Sequence, residues 1–100
     1  MTRYRLSARA DADIFAIAEY TIAQFGIEQA RRYRDGLERV FRMLTENPRR
    51  GRSAAQFAEN LRRWEYESHI VFYVPEPRGV LIVRVLHRRM DIERHRMIDD

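Results

Sequence analysis

The stretch GVLIVRVLHRRM at residues 79–90 decides how the rest of the chain is arranged. Its first part is rich in β-branched residues and leucine and contains a single charge, Arg84. A run of this kind, bounded by glycine and by charge, is typical of a strand buried on both faces. The run ends abruptly in His87-Arg88-Arg89. We therefore expect the preceding chain to cover this strand and the cationic segment after it to meet a partner.

A first amphipathic helix is predicted near the beginning of the chain. Ser7 is a good N-cap residue, and apolar residues then recur at spacings of three and four up to Phe25. Gly26 is expected to end the helix, because glycine readily adopts the left-handed conformation at this position. Phe15 and Ile22 widen the apolar stripe. They predict a helix that is buried on more than one side.

A second helix is predicted over residues 28–46 and forms a hairpin with the first. It ends before Pro48, because proline disfavours the helical conformation of the residue that precedes it. Gly36 lies inside this helix, and we expect it to permit a close approach of the two helix backbones. The apolar stripe of the helix consists of Ala30, Tyr33, Leu37, Val40, Phe41 and Leu44.

The remaining apolar segments are short and alternate with turn residues. Strands are predicted at residues 4–6, 61–66, 70–74 and 80–86, with a loop at 48–60. The last three strands are joined by short turns and predict an antiparallel meander. The order β-α-α-β-β-β indicates an α+β fold in which a helical hairpin packs on a mostly antiparallel four-stranded sheet. Residues 1–100 are expected to form one domain.

Composition excludes several functional classes. The chain has no cysteine, and all 19 of its basic residues are arginine, so neither thiolate nor lysine chemistry is available. No apolar run approaches the ~18 residues of a membrane span, and no signal-peptide core precedes the fold. We expect a cytoplasmic protein with no membrane contact, no cofactor and no metal. His87, Asp91 and His95 have the spacing of three metal ligands on one helix face. Because His87 ends a strand, the three are not expected to share a helix, and the spacing is interpreted as chance.

Positive charge is concentrated in two segments. Residues 49–63 carry five arginines and one acidic residue, and residues 84–96 carry five arginines and two acidic residues. Residues 1–47 are nearly balanced, with eight arginines and seven acidic residues. The two segments are expected either to converge at one edge of the sheet or to be two solvated loops. The sequence alone favours neither.

The chain resembles a known family along most of its length, from about residue 4 to residue 95. The segments that carry the resemblance are YRLS, EYT with FG, EQA with a following tyrosine, NPRRGR, WEYESHIVFYV and VRVLHRRMDIERH. Together they resemble the ParE toxins, the plasmid-stabilisation branch of the RelE/ParE toxin–antitoxin superfamily. The fold of that family matches the arrangement predicted above.

This resemblance implies a toxin that performs no chemistry itself. It implies neutralisation by a ParD-like antitoxin, a ribbon-helix-helix protein whose C-terminal segment wraps the toxin in a hetero-oligomer. The implied target of the free toxin is DNA gyrase, which is poisoned so that cleaved DNA accumulates.

Two sets of candidate binding residues follow. An exposed apolar groove is expected to receive an amphipathic antitoxin helix. The segment that follows the last strand is expected to contact the target. The antitoxin-binding candidates are Phe15, Ile22, Leu37, Val40, Phe41, Leu44 and Trp64, and the target-binding candidates are Arg84, His87, Arg88, Arg89 and Asp91.

Arg84 also has a structural interpretation. A guanidinium inside an apolar strand requires a buried partner, and the structural ion pair is the better interpretation of this residue. The candidate partners are Glu19, Asp35 and Glu65.

Two alternative functions remain. The first is a RelE-like ribosome-dependent mRNA endonuclease, for which His87 could act as acid or base. No tyrosine follows His87, and His69 stands where a phosphate-binding arginine would be expected. The second is direct nucleic-acid binding, with phosphate contacts from Arg49, Arg50, Arg52, Arg62 and Arg63 and base stacking on Trp64 or Tyr66.

Overall fold

β5, Gly79–His87, lies inside a mixed five-stranded sheet, between β1 and β4. The computed structural model describes residues 3–90, 92–95 and 97. The sheet order is β1-β5-β4-β3-β2; β1 is parallel to β5, and the other neighbours are antiparallel. The elements are β1 (Arg3–Leu6), α1 (Ala8–Phe25), α2 (Ile27–Glu46), β2 (Arg52–Ser53), β3 (Arg62–Tyr66), β4 (His69–Glu76), β5 and a 3-10 turn at Ile92–Arg94.

The predicted α+β class and the antiparallel meander of β3, β4 and β5 are confirmed. The predicted number of strands was too small. Two residues of the expected loop, Arg52 and Ser53, pair with the beginning of β3 as the edge strand β2. A strand of two residues carries no periodic signal, so the sequence pattern could not reveal it.

Both faces of β5 are covered, as its composition predicted. The helical hairpin packs on one face, and residues 54–61 together with Ile92 and Met97 pack on the other. The helix-side core contains Ala10, Leu37, Val40, Phe41, Leu44, Val71, Tyr73, Val80, Ile82 and Val85. The opposite core contains Ala54, Leu61, Ile70, Phe72, Val83, Leu86 and Met97. Full burial of one such large apolar side chain contributes about 1.5–3 kcal/mol.

The predicted ends of α1 are confirmed. The Ser7 hydroxyl accepts a hydrogen bond from the Ala10 N–H at 3.0 Å and donates one to the Val83 carbonyl oxygen at 2.7 Å. The same residue therefore caps the helix and attaches it to β5. Gly26 has a φ of 92° and is the only residue between α1 and α2. This conformation favours glycine and turns the chain sharply into a hairpin.

Gly36 serves a different contact from the predicted one. A Cβ atom at this position would overlap the hydroxyl of Tyr66, which comes from β3. The missing side chain therefore admits an aromatic ring of the sheet and not the backbone of α1. Periodicity within a helix does not indicate which neighbouring element lies against a given residue.

Replacing Gly36 with alanine is expected to destabilise the fold through Tyr66. Alanine is about 1 kcal/mol better than glycine in a helix, but overpacking costs about 1–3 kcal/mol, so we expect a net loss. In a Tyr66→Leu background the same Gly36→Ala change should be neutral or stabilising. Urea denaturation of the four proteins of this cycle measures the coupling. An equal effect of Gly36→Ala in both backgrounds would contradict this assignment.

Candidate functional site

Five large hydrophobic side chains of the helical hairpin are exposed: Tyr20, which carries a hydroxyl, and four that are wholly apolar. Phe15 is 66%, Ile22 46%, Phe25 68% and Ile27 53% accessible to solvent. We call these four residues the hairpin surface. Phe15, Ile22 and Phe25 lie on one side of α1, because their spacings of seven and three bring them near one another on a helix. Exposed apolar side chains that cluster in this way mark an interaction site.

The predicted antitoxin residues divide into two groups. Phe15 and Ile22 belong to the hairpin surface, whereas Leu37, Val40, Phe41 and Leu44 are buried in the helix-side core. The assignment of these four α2 residues to an exposed groove is therefore corrected, because they attach α2 to the sheet. Trp64 is partly buried on the same core, and the Arg50 guanidinium lies 5.6 Å from the centre of its ring.

Two residues of the hairpin surface were not expected from the sequence. Phe25 continues the spacing of the buried residues of α1, but it is the last residue of the helix and its side chain is exposed. Ile27 follows on the other side of the Gly26 turn. The only signal in the sequence was the presence of two large apolar residues on either side of the predicted turn.

The segment after β5 forms a short ordered turn that displays two arginines. The N–H of Arg88 donates to the Ser68 carbonyl oxygen at 3.0 Å, and the N–H of Arg89 donates to Nδ1 of His87 at 3.1 Å. Arg88, Arg89 and Met90 are exposed, and His87 is partly buried. We call His87, Arg88, Arg89 and Met90 the β5 end. Asp91, the remaining residue of the predicted target surface, lies outside the described residues.

Arg84 belongs to a structural ion pair. Its Nε and Nη2 atoms donate to the two carboxylate oxygens of Asp13 at 2.8 and 2.9 Å. Only 10% of the Arg84 side chain and 14% of the Asp13 side chain are accessible. The structural interpretation of Arg84 is therefore correct, but the three predicted partners were wrong. Asp13 is acidic, as many residues near a helix N-terminus are, so its pairing had no distinct signal in the sequence.

Asp13 also closes an open edge of the sheet. β1 ends at Leu6, which pairs with Ile82, so the second half of β5 has no strand on that side. The N–H of Val85 donates to Asp13 Oδ2 at 2.9 Å in this gap. The carboxylate therefore accepts from both a buried guanidinium and a backbone donor at the uncovered edge of β5. Arg84 therefore lies inside the fold, before the β5 end in the chain, and is not one of the residues that the β5 end exposes.

Tyr33, His69 and His87 come together where β5 ends. A hydrogen bond of 2.5 Å joins the Tyr33 hydroxyl to Nδ1 of His69, and the rings of His69 and His87 pack edge to face at 5.3 Å. Burial lowers the pKa of His69 to about 4, with a further lowering by His87 and an opposing effect of Asp13. Burial likewise raises the pKa of Tyr33 to about 12.

These pKa values do not suit proton transfer near neutral pH. An efficient general acid or base has a pKa close to the working pH. His69, with a pKa of about 4, is a weak base, and Tyr33, with a pKa of about 12, is a weak acid. Within the described residues no group of three histidine, aspartate or glutamate side chains is arranged to hold a metal ion. The cluster therefore packs the end of the sheet below the arginines.

The first basic segment begins with a loop that is hydrogen-bonded to the middle of β4. We call residues 47–52, NPRRGR, the arginine loop. The Tyr73 hydroxyl donates to the Pro48 carbonyl oxygen at 2.6 Å and accepts from the Gly51 N–H at 2.9 Å. Tyr73 is four residues from His69, which pairs with His87, so the anchor points of the arginine loop and of the β5 end are about 13 Å apart along β4.

The chain is similar to known proteins over almost all of its length. A family model described as the ParE toxin of type II toxin-antitoxin system, parDE, matches residues 4–92. Toxin ParE1 of Caulobacter vibrioides is 39% identical to this chain over 95 residues, which cover 95% of this chain and 98% of that toxin. The chain belongs to the ParE toxin family. Toxin ParE of Escherichia coli is 37% identical, over 92% of this chain and 90% of that protein.

The ParE fold is also evident from a solved structure. One chain of the solved structure described as the chromosomal ParDE TA system from P. aeruginosa superimposes on this chain with a TM-score of 0.73 and 17% sequence identity. The alignment covers 87% of this chain and 96% of that chain. The ParE assignment makes this chain the toxin of a type II toxin–antitoxin system, which implies an antitoxin partner. In the described part of the chain, neither helix is long and apolar enough to span a bilayer.

Removing the Asp13 carboxylate is expected to destabilise this ParE toxin strongly. Asp13→Ala removes the carboxylate that accepts from the buried Arg84 guanidinium and from the Val85 N–H, and breaking a buried pair costs about 3–5 kcal/mol. Asp11→Ala is the matched control, since Asp11 is exposed in the same turn and its removal should cost less than about 1 kcal/mol. Urea denaturation compares the two variants. A loss at Asp13 no greater than that at Asp11 would refute the structural assignment.

The buried imidazole of His69 is expected to make stability depend on pH. Its pKa is about 4 in the folded chain against 6.5 for the free side chain. Between these values the unfolded chain binds a proton that the folded chain does not, so the free energy of unfolding should rise as pH increases from about 4 to 6.5. In His69→Gln this contribution should disappear from urea-denaturation curves. An NMR titration that places the His69 pKa in the wild type near 6.5 would disprove the expectation.

Proposed function

We propose that the chain is a cytoplasmic, non-catalytic toxin that inhibits DNA gyrase by non-covalent binding and that a ParD-like antitoxin neutralises in a hetero-oligomer. The observation that carries this proposal is the separation of two surfaces. The hairpin surface is apolar and the β5 end is cationic, and each is attached to a rigid element. A toxin of this kind needs one surface for its target and one for its antitoxin.

The hairpin surface suits a helical segment of an antitoxin. An amphipathic helix lays its apolar face on a hydrophobic surface and places side chains at spacings of three, four and seven residues. Phe15, Ile22 and Phe25 repeat the same spacings on α1. Covering these exposed rings and aliphatic groups provides roughly 25 cal/mol for each Å² of apolar area removed from water. The antitoxin therefore stabilises a surface that water covers in the free toxin.

The β5 end suits a target that is recognised through charge and shape. Arg88 and Arg89 follow a strand that is covered on both faces. The N–H of Arg88 donates to the Ser68 carbonyl oxygen and the N–H of Arg89 donates to the His87 ring, so their turn is held in place. A preorganised turn loses less conformational entropy on binding than a flexible one. Exposed Met90 adds an apolar contact next to the two guanidinium groups. This combination of arginine and apolar side chains resembles the centres of protein interfaces.

Non-catalytic action is supported by the side chains that lie nearest to the β5 end. The endonuclease alternative requires a general base and a general acid that exchange protons near neutral pH. The pKa of His69 at about 4 and that of Tyr33 at about 12 are each well removed from that range. The two side chains beside His87 therefore do not provide the second proton carrier that the endonuclease alternative needs.

A supercoiling assay with two pairs of substitutions tests the proposal. We expect the wild-type chain to inhibit purified gyrase. Arg88→Gln/Arg89→Gln should lose about tenfold or more of this inhibition and still bind the antitoxin, because 1.4 kcal/mol changes an affinity tenfold. Phe15→Ser/Ile22→Ser should inhibit gyrase normally but escape the antitoxin. Both pairs are exposed, so circular dichroism should remain unchanged.

Different results would contradict the proposed gyrase target and the proposed non-catalytic mechanism. Full gyrase activity at saturating wild-type toxin would rule out gyrase as the target. Cleavage of messenger RNA on purified ribosomes, abolished by His87→Gln, would establish the endonuclease alternative instead. Loss of both activities in the Arg88→Gln/Arg89→Gln variant would place the antitoxin contact at the β5 end.

A further inference from the structure

The arginine loop is held in one conformation by contacts with β3 and β4. Tyr73, which is fully buried, bonds to Pro48 and Gly51 through its hydroxyl. From β3, Arg62 donates from Nε to the Gly51 carbonyl oxygen at 2.8 Å and from Nη2 to the Arg49 carbonyl oxygen at 3.0 Å. The loop backbone is therefore anchored on both sides.

Gly51 is necessary for this conformation. A Cβ atom there would lie 2.5 Å from the Tyr73 hydroxyl oxygen and 2.7 Å from the Arg63 carbonyl oxygen. Close packing of this kind leaves the loop no room to collapse onto the sheet. The side chains on either side of the glycine are consequently directed away from the core.

Three guanidinium groups are displayed by this rigid loop. Arg49, Arg50 and Arg52 are exposed. Arg52 contacts Glu65 at 3.2 Å, but both side chains are largely exposed, and such a surface pair contributes only about 0–1 kcal/mol. Arg50 lies over the Trp64 ring, which orients it without neutralising its charge. The guanidinium groups of all three arginines are therefore accessible to a ligand that displaces the water around them.

The chemistry of the surface favours a phosphate backbone over a peptide. The large apolar side chains that are exposed in the described residues lie elsewhere: Leu6, Phe15, Tyr20, Ile22, Phe25, Ile27 and Met90. A protein partner would thus find no apolar anchor at the arginine loop, and such anchors dominate peptide and protein binding. A polyanion with regularly spaced charges needs only cations at fixed positions.

We propose that the arginine loop binds the phosphate backbone of duplex DNA without sequence preference, through Arg49, Arg50 and Arg52. Phosphate contacts of this type position a protein on DNA and carry no sequence information. The choice of duplex DNA over RNA rests on the proposed gyrase target, whose substrate is duplex DNA. The loop backbone bonds to Tyr73 and the β5 end lies beside His69, four residues away on β4, so the loop arginines form a surface distinct from the β5 end.

Direct binding of the full-length chain to DNA, measured without gyrase, tests this inference. A fluorescein-labelled DNA duplex of mixed sequence is titrated at several salt concentrations between 50 and 200 mM KCl, with anisotropy as the readout. Three phosphate contacts predict a slope of about −2.7 in the plot of log affinity against log salt. Arg49→Gln/Arg50→Gln/Arg52→Gln should bind about tenfold or more weakly at the lowest salt and with a slope near zero.

A matched variant separates this surface from net charge. Arg31→Gln/Arg34→Gln/Arg39→Gln removes the same charge from exposed positions of α2 and should retain most of the affinity and the slope. Tyr73→Phe retains every charge but removes both hydroxyl contacts to the loop. If the rigid loop positions the cations, this variant should reduce the slope while circular dichroism remains native.

Several results would overturn the inference. These are equal losses in the two triple variants, an unchanged slope after loss of the three loop arginines, or competition by polyglutamate as effective as competition by DNA. Tighter binding of duplex RNA than of duplex DNA would overturn the choice of nucleic acid. The assay contains no gyrase, so a toxin that binds DNA but does not inhibit gyrase would refute only the proposed target. A toxin that inhibits gyrase but does not bind DNA would refute only this inference.

Discussion

The Asp13 carboxylate makes the contact on which the arrangement of this toxin depends. It accepts from the guanidinium of Arg84 and from the backbone N–H of Val85, at a place where β1 no longer covers the edge of β5. An uncovered strand edge is prone to pair with other chains, and an unpaired buried donor is costly. By supplying the missing acceptor from α1, the chain closes this edge and joins the helical hairpin to the sheet. A buried ion pair is favourable only when its remaining donors and acceptors are also paired, and the Val85 contact contributes to that here.

The position of the binding surfaces follows from this attachment. α1 is attached to the sheet at Ser7 and Asp13 and packs Ile14 and Ile17 on the helix-side core, while Phe15, Ile22 and Phe25 are exposed on its other side. β5 emerges from between the two cores and ends in the turn at Arg88 and Arg89. The apolar and cationic surfaces are therefore on different elements that share one rigid core.

The pattern of apolar residues was sufficient to predict the fold class but not to predict which apolar residues are exposed. Alternation and helical spacing identified the hairpin, the meander and the doubly covered β5, because these patterns express burial along one element. They could not decide whether Phe25 or Phe41 faces the core, since both lie within apolar stripes of similar strength. Phe41 meets Tyr4 of β1 and is buried, whereas Phe25 is at the hairpin turn and is exposed. Only the packing partner distinguishes the two residues.

Charged residues divide in the same way. The sequence by itself determined that Arg84 needs a buried partner, that Gly26 turns the hairpin and that a cationic segment follows β5, because each depends on a local property of one residue and its neighbours. It also determined membership of the ParE toxin family through an ordered set of segments along the chain. Only the tertiary structure decided that the partner of Arg84 is Asp13, 71 positions away, that Gly36 faces Tyr66, and that the arginine loop bonds to Tyr73 in the middle of β4. These are contacts between elements distant in sequence, and the physical reason is that distances across a fold depend on how its layers pack, which no local pattern of residues encodes.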